Sequence, residues 1–411
     1  MHALRIVFMQ AYVYKARDEK GKLVKGITNA DSELDLASRL NKQGFVLTFA
    51  KVTSQRAVRK SYLKTGRLSA NELLQFTSQL AISLDSGVNL LTSLEDLSDG
   101  APTAKIKNII ESIGRNVESG RSFRDALADY PESFPKLYVA IVGAGENTGK
   151  LPLVLNDLTK LLEWQLELNA KIKEASIYPL ILFIVMILVV GVLVTVVIPK
   201  FEPMFADLKL NLPLPTQIIM STSRIIRKFW WIGILLIVAF ITTFKFIGSN
   251  EKGQREIDKL KLKLPLAGNL LEKIILSRFC HTFALALRSG VNVFTALGIA
   301  SEVTGNRYVE SSIIKARDYV NVGEKISTSL KMAGNFPHLV IRMINIGEQT
   351  GTLSDSLEKV NQYYDKEVPA TIKRMFSIFE PMMIVIMGAV VGGIAISVFL
   401  PLMQVISKVG D

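Results

Sequence analysis

The chain has 411 residues, 49% of them apolar and 21% charged, with a formal net charge of +12. This composition excludes intrinsic disorder and allows two or three soluble modules, with the hydropathy concentrated in a few blocks. The single cysteine, Cys280, excludes an internal disulfide and fits modules facing a reducing compartment.

Met1 to Met9 includes an apolar patch too short for the core of a secretory signal, so the later apolar spans are expected to stay in the mature protein. Tyr12 to Ala16 and Phe45 to Val52 read as short strands around a helix from about Ser32 to Asn41, with Gly21, Gly26 and Gly44 as turn signals. Residues 1–52 are therefore expected to form a small α/β appendage. Lys51 to Asn71 carries six basic residues and no acid, so residues 53–68 read as a solvated basic linker, with a lipid-headgroup contact as the alternative.

Residues 69–175 read as a helical bundle. Ser69-Ala70-Asn71-Glu72 is a capping-box pattern, in which the serine oxygen accepts a backbone donor three residues on while the glutamate reaches back. Leu73, Phe76, Leu80 and Leu84 then keep to one helical face. Gly87 supplies the left-handed conformation that stops the helix, and Asn89 is placed to cap the next one. Further on, the run from Gly143 to Lys150 superficially suggests a phosphate-binding loop. It lacks the required glycine spacing, and Leu151 stands where a Ser or Thr should follow the lysine. A helix-ending turn fits better: Gly149 ends one helix and Glu146 accepts backbone donors at the start of the next.

Three membrane-length apolar blocks follow: Leu180 to Ile198, Phe229 to Phe244 and Met382 to Leu400. About 19 helical residues cover roughly 28 Å, close to the hydrocarbon thickness. Lipid offers no partner for unpaired backbone groups, so each block is expected to cross as a helix. The resulting segments are a helix over 177–199, an outer loop over 200–228, a second helix over 229–248, and a third over 381–401 with an outer tail over 402–411. Lys171 and Lys173 precede the first span, six basic residues from Lys245 to Lys263 follow the second, and Lys373 and Arg374 precede the third. Arg224, Arg227 and Lys228 oppose this bias, but the balance places the N-terminus inside and the C-terminus outside. The excess positive charge then reads as surface beside anionic lipid, with no nucleic-acid partner expected.

The second module, 249–378, repeats the first. Ser86-Gly87-Val88-Asn89 returns as Ser289-Gly290-Val291-Asn292, with Phe279, Phe283 and Leu287 ahead of it as the matching apolar face. The run Gly145-Glu146, Thr148-Gly149, Leu151 returns as Gly347-Glu348, Thr350-Gly351, Leu353, and Pro179 and Pro199 bracket one apolar run as Pro381 and Pro401 bracket another. The unit copied is a polar bundle plus the span behind it. The intervening crossing returns the chain to the original side, so both bundles face one compartment as a parallel repeat. The fold class is mainly α: a polytopic membrane protein with two repeated helical bundles, three transmembrane helices and the N-terminal appendage.

Catalytic and metal-binding constellations are thin. Cys280 and His281 are adjacent on a helix and point to different faces, while His2 and His338 stand alone. No enzyme activity, cofactor or metal is expected. Glu380, just before Pro381, reads as a residue at headgroup level, with Tyr178 in the equivalent place before Pro179. Gly388 and Gly392, four apart, allow close helix packing, within the chain or between subunits. Gly87, Asn89, Glu146, Gly149, Gly290, Asn292, Glu348, Gly351, Glu380, Gly388 and Gly392 are thus the structural or partner-contact candidates.

These duplicated runs, together with Tyr178-Pro179, Glu380-Pro381, Leu214-Pro215-Thr216 and Pro265-Leu266-Ala267-Gly268, resemble the type II secretion F-domain family. That family comprises inner-membrane platform proteins of type II secretion and type IV pilus machines. Tyr14-Lys15-Ala16-Arg17-Asp18 looks like its usual opening, which suggests Met9 as the native start. The resemblance implies a nonenzymatic scaffold that couples a hexameric cytoplasmic assembly ATPase to insertion of pilin or pseudopilin subunits into a filament. It further implies other inner-membrane assembly proteins as partners, a homo-oligomer, a cytoplasmic N-terminus and a periplasmic C-terminus. A membrane transporter built from parallel repeats is the alternative.

Overall fold

The computed structural model describes residues 10–17, 23–30, 33–42, 46–53, 67–207, 213–265 and 267–409. Met9, Gly21, Gly44, most of the basic linker, part of the loop expected before the second span, and Leu266 lie outside the described residues. The chain divides into two compact units, Met1–Pro135 and Lys136–Asp411.

In the first unit, β1 (Gln10–Arg17), β2 (Leu23–Ala30) and β3 (Val46–Thr53) form an antiparallel sheet in the order β2-β1-β3. α1 (Glu33–Lys42) lies against β2 and β3, with Leu36 fully buried. The sheet corrects the two-strand expectation: Gly26, read as a turn signal, sits inside β2 opposite Tyr14. Leu23–Ala30 lacks an alternating apolar pattern because it is an edge strand, whose pairing with β1 overrides weak local propensity.

Among the described residues, four helices follow in this unit: α2 (Ala70–Asp85), α3 (Leu90–Asp99), α4 (Ala104–Glu118) and α5 (Phe123–Ala128). Each begins at a polar N-cap, Ser69, Asn89, Thr103 or Ser122, whose side chain accepts the backbone N–H three residues on. The capping box at Ser69 is complete, with the Ser69 N–H donating to Glu72 Oε2 at 2.6 Å and the Glu72 N–H to Ser69 Oγ at 3.3 Å. The bond from the Ser69 backbone holds the Glu72 carboxyl below its usual range. This stabilisation is present above the unfolded-state pKa and is lost as pH falls through the lower folded-state value. Ser69→Ala is expected to cost about 1 kcal/mol of stability, read from the midpoint of thermal unfolding. In α4, Ile106, Ile109, Ile110 and Ile113 form the buried stripe expected of a helix with one apolar face.

The second unit opens with α6 (Lys136–Thr148) and α7 (Leu151–Val192), which runs through a π-helical turn at Leu193–Val197 into α8 (Ile198–Asp207). α9 (Leu214–Gly248) bends at Phe229, where φ is −118° and ψ is 19°. α10 (Glu251–Leu262), α11 (Ala267–Arg288), α12 (Val293–Glu302), α13 (Arg307–Asn321), α14 (Ile326–Ala333) and α15 (His338–Thr350) precede α16 (Leu353–Val409). Among the described residues, three helical stretches are long and apolar enough to cross a membrane: Leu151–Phe201, Thr216–Gly248 and Leu353–Pro401.

Two features differ from the sequence pattern. The segment read as a loop before the second span is helical on both sides of residues 208–212. The prolines read as brackets lie within helices: Pro179 in α7, Pro199 in the first turn of α8, and Pro381 and Pro401 in α16. Each removes only one ladder bond, and the packed neighbours hold the helix through it. The core of the second bundle contains Phe279, Phe283, Ile313, Leu330, Ile344 and Leu357, joined by Leu168 from α7. The helix that becomes the first span is therefore built into the bundle that precedes the third. At the α10–α11 corner a Cβ on Gly268 would lie 2.2 Å from the Leu262 carbonyl oxygen, which explains the glycine of the Pro-Leu-Ala-Gly motif.

Candidate functional site

The repeated Ser-Gly-Val-Asn turns have the same geometry in both copies. Gly87 and Gly290 have φ of +87° and +85°, a region disfavoured for residues carrying a Cβ. The Val88 N–H donates to the Ser83 carbonyl as the Val291 N–H does to Ala286, closing the preceding helix with a Schellman pattern. Asn89 Oδ1 then accepts from the Thr92 N–H and Asn292 Oδ1 from the Thr295 N–H, each at 2.8 Å.

The second repeated run joins two helices at close quarters. Gly149 and Gly351 follow the last residues of α6 and α15 with positive φ. Four residues earlier, Gly145 and Gly347 have a different role, which periodicity did not single out. A Cβ on Gly347 would sit 2.8 Å from Leu353 Cα and 2.9 Å from Ser356 Cβ, while one on Gly145 would sit 2.2 Å from Val154 Cγ2. Only a bare backbone lets each incoming helix pack so near.

Glu348 also corrects an expectation. Its carboxylate accepts from the Ile326 N–H, from the Ser327 N–H at 3.0 Å and from Ser327 Oγ at 2.6 Å. It thus serves the N-terminus of α14, the helix before its own, and not the helix that follows. The N-cap of α14 is Lys325, which makes no side-chain cap bond, so those donors require an acceptor from elsewhere. Glu146 stands at the corresponding place in α6.

Beside the core of the second bundle, α7 and α16 run in the same direction, and they are linked at successive levels. Trp164 Nε1 donates to Asp365 Oδ1 at 2.7 Å, His281 Nε2 lies 3.0 Å from the same oxygen, and the indole stacks on the imidazole with centroids 3.9 Å apart. Lys273 Nζ reaches Glu367 Oε2 at 2.7 Å and Thr371 Oγ1 at 2.8 Å, tying α11 to the same stretch of α16. About 21 Å further along, at 1.5 Å per residue, the Tyr178 hydroxyl donates to Glu380 Oε1 at 3.0 Å. Glu380 therefore has an interhelical partner at the start of the apolar runs.

A third joint lies near the far ends of the spans. Val194, Ile198, Met220 and Ile394 form a buried apolar cluster from all three. The hydroxyl of Ser223 donates to the Val194 carbonyl at 2.6 Å and that of Thr216 to the Ser397 carbonyl at 2.8 Å. Val194 lies in the π turn, where a widened backbone leaves a carbonyl available to a neighbour. By contrast, a Cβ on Gly388 or Gly392 would meet nothing within 4 Å, so the close approach their spacing allows is not made among the described residues.

The remaining candidates are inert or structural. Cys280 is fully buried, and burial pushes its thiol pKa up, against thiolate chemistry. His281 faces away from it, toward Trp164 and Asp365. The site is best described as a set of interhelical links along two continuous helices.

The comparisons with known proteins cover the same ground. The family profile described as type II secretion system (T2SS), protein F matches twice, at residues 76–199 and 279–401, and that for the N-terminal domain of type II secretion system protein F matches residues 9–51. A type IV pilus assembly protein PilC from Thermus thermophilus is 36% identical over 402 residues, covering 97% of this chain and 98% of its own length. A PilC from Myxococcus xanthus is 33% identical over 391 residues, covering 95% and 94%. A type II secretion system protein F from Pseudomonas aeruginosa is 30% identical over 405 residues, covering 98% and 100%.

Proposed function

Because this chain belongs to the type II secretion system protein F family, we propose that it is the inner-membrane platform of a type IV pilus or type II secretion machine. One observation carries the mechanism: α7 and α16 pass unbroken from helical modules into apolar spans and are joined at successive levels. Packed helices transmit strain because close-packed interiors compress little. A displacement imposed on the soluble modules therefore reaches the membrane part as motion of the joined spans.

The partners follow from that role. A hexameric cytoplasmic assembly ATPase supplies the displacement, and pilin or pseudopilin subunits in the bilayer receive it. Other inner-membrane assembly proteins hold the machine together. The uncovered Gly388 and Gly392 face supports a homo-oligomer formed through the third span. The chain itself is not an enzyme and needs no cofactor. A cytoplasmic N-terminus and a periplasmic C-terminus complete the reading, and the lysine and arginine bias supports them. The transporter reading gains no support: Thr216, Ser223 and Ser397 inside the spans bond to backbone carbonyls and do not converge on a substrate position.

The test has three arms. Disrupting either bundle while leaving the spans intact is expected to abolish filament assembly. The purified chain is expected to hydrolyse no ATP, and substantial hydrolysis would refute the scaffold role. Cysteine accessibility labelling is expected to place both bundles on the cytoplasmic face, and finding them on opposite faces would overturn the topology.

A further inference from the structure

A small cavity lies where the second bundle meets the third span. Lys273 of α11 reaches Thr371 of α16 at 2.8 Å, while His281, about two turns on, meets Asp365 at 3.0 Å. The two helices therefore run antiparallel, and the N-terminal turn of α11 points toward the apolar run. There Asn269, Lys273, Thr371, Arg374, Met375 and Ile378 line a cavity of about 200 Å³. Its lining is graded along α16: Thr371 and Arg374 come first, then Met375 and Ile378, then Pro381 and the span. Ile378 lies roughly 4.5 Å and Arg374 roughly 10 Å before Pro381 along the helix axis. The polar layer of a bilayer is roughly 5 to 8 Å deep on each side, so the apolar end of the cavity falls within it and Arg374 stands at its edge. Asn269, Arg374 and Ile378 are exposed, which leaves the cavity open to that layer.

The lining carries two cations, and one carboxylate, Glu367, touches it. Glu367 accepts from Lys273 Nζ at 2.7 Å and Thr371 Oγ1 lies 2.8 Å from the same nitrogen, which uses two of the three ammonium donors and leaves the third. Arg374 makes no ion pair among the described residues, so its guanidinium donors remain for a ligand. The repeat shows that neither cation is needed to build such a bundle. Pairing Gly290 with Gly87 puts Ala70 in the place of Lys273, and pairing Pro381 with Pro179 puts Ile172 in the place of Arg374. The first copy forms its own helices with neither charge.

We propose that this cavity holds the headgroup of one anionic phospholipid from the leaflet next to the bundle. The phosphate sits on Lys273 and Arg374, with Asn269 and Thr371 beside it, and the acyl chains pass Met375 and Ile378 into the hydrocarbon layer. Three observations select this occupant. The cavity is polar toward the bundle and apolar toward the span, and a free anion would leave the apolar end bare. It lies at headgroup depth, where basic pockets beside spans meet anionic lipid. Its charge is positive, and the N-terminal turn of α11 adds the positive end of a helix dipole. The volume is below the roughly 300–1,000 Å³ typical of small-molecule pockets, and suits a small headgroup better than a nucleotide. A lipid held there ties α11 to α16 at the point where the bundle enters the membrane, whichever machine the chain serves.

The experiment uses the full chain in detergent, with native mass spectrometry counting the lipids it retains from an equal mixture of phosphatidylglycerol and phosphatidylcholine of the same acyl chains. One phosphatidylglycerol per chain is expected to be retained in preference to phosphatidylcholine. Arg374→Gln is expected to lower that preference by about fivefold, the effect of one basic residue near an anionic surface, and to leave the melting temperature unchanged because no ion pair is lost. Lys273→Gln is expected to lower it as well; because this variant also breaks the link to Glu367, Arg374→Gln decides the matter should it melt early. Lys373→Gln removes a neighbouring exposed cation outside the cavity and is expected to leave the preference intact. An equal loss in Lys373→Gln would reduce the effect to diffuse surface charge and overturn the site. Inorganic phosphate in excess is expected not to displace the lipid, and displacement would show a free-anion site in its place. Equal retention of the two lipids by the wild-type chain, or an unchanged preference in Arg374→Gln, overturns the proposal and leaves the platform reading standing.

Discussion

Gly347→Val is expected to destabilise the second unit by about 3 kcal/mol, at the upper end of the range for forcing extra carbon into a packed interior. A Cβ there would lie 2.8 Å from Leu353 Cα, a backbone atom that moves only if the start of α16 moves. Because α16 continues as the third span, the clash does not stay local. Gly351→Ala places a side chain at a left-handed φ of +71° but meets no atom within 4 Å, so its cost is about 1 to 2 kcal/mol. The thermal midpoints of the two variants, measured side by side, test the assignment: a larger drop for Gly351→Ala would show that the turn, and not the close approach, explains the motif. Gly145→Val is expected to cost less than Gly347→Val, because the atom it meets belongs to the Val154 side chain, which can change rotamer.

Glu348→Ala should be nearly as damaging, at about 3 kcal/mol. It leaves the backbone N–H groups of Ile326 and Ser327 and the Ser327 hydroxyl without their acceptor, and hydrogen bonds to a charged group are each worth roughly 1.5 to 3 kcal/mol. Part of the loss is recovered as water reaches the half-buried site. Glu348→Gln keeps the shape but turns an amide donor toward those N–H donors and loses the charge that complements a helix N-terminus, so it should rescue poorly. Hydrogen exchange across Ile326–Ala333 gives the direct readout. Faster exchange confined to that helix supports the cap, and unchanged exchange there rules it out.

The parts of this molecule legible in the sequence are those encoded locally. The capping box at Ser69, the Ser-Gly-Val-Asn turns and the apolar blocks depend on residues within a few positions of each other, and duplication repeats the signal. What periodicity could not provide was any pairing between distant segments. Trp164 and Asp365 carry no local mark, since each reads as an ordinary amphipathic-helix residue until the stems come together. Ser223 and Thr216 likewise look like incidental hydroxyls until a neighbouring span supplies the carbonyl. β2 was hidden because an edge strand takes its stability from its partner. Glu348 was misdirected by the assumption that a carboxylate near a helix end serves the adjacent helix. Gly145 and Gly347 were the recoverable omissions: they return with the rest of the repeated run, and a glycine inside an otherwise good helical segment is itself a sign of crowding.

The absence of any break between module and span in α7 and α16, of 42 and 57 residues, has a consequence for the surrounding lipid. A rod without a hinge at the interface cannot shorten when the hydrocarbon layer thins; it leans. The inclination of the soluble ends is thus set partly by acyl chain length, so bilayer thickness becomes a mechanical input that spin-label distances in vesicles of graded chain length would register.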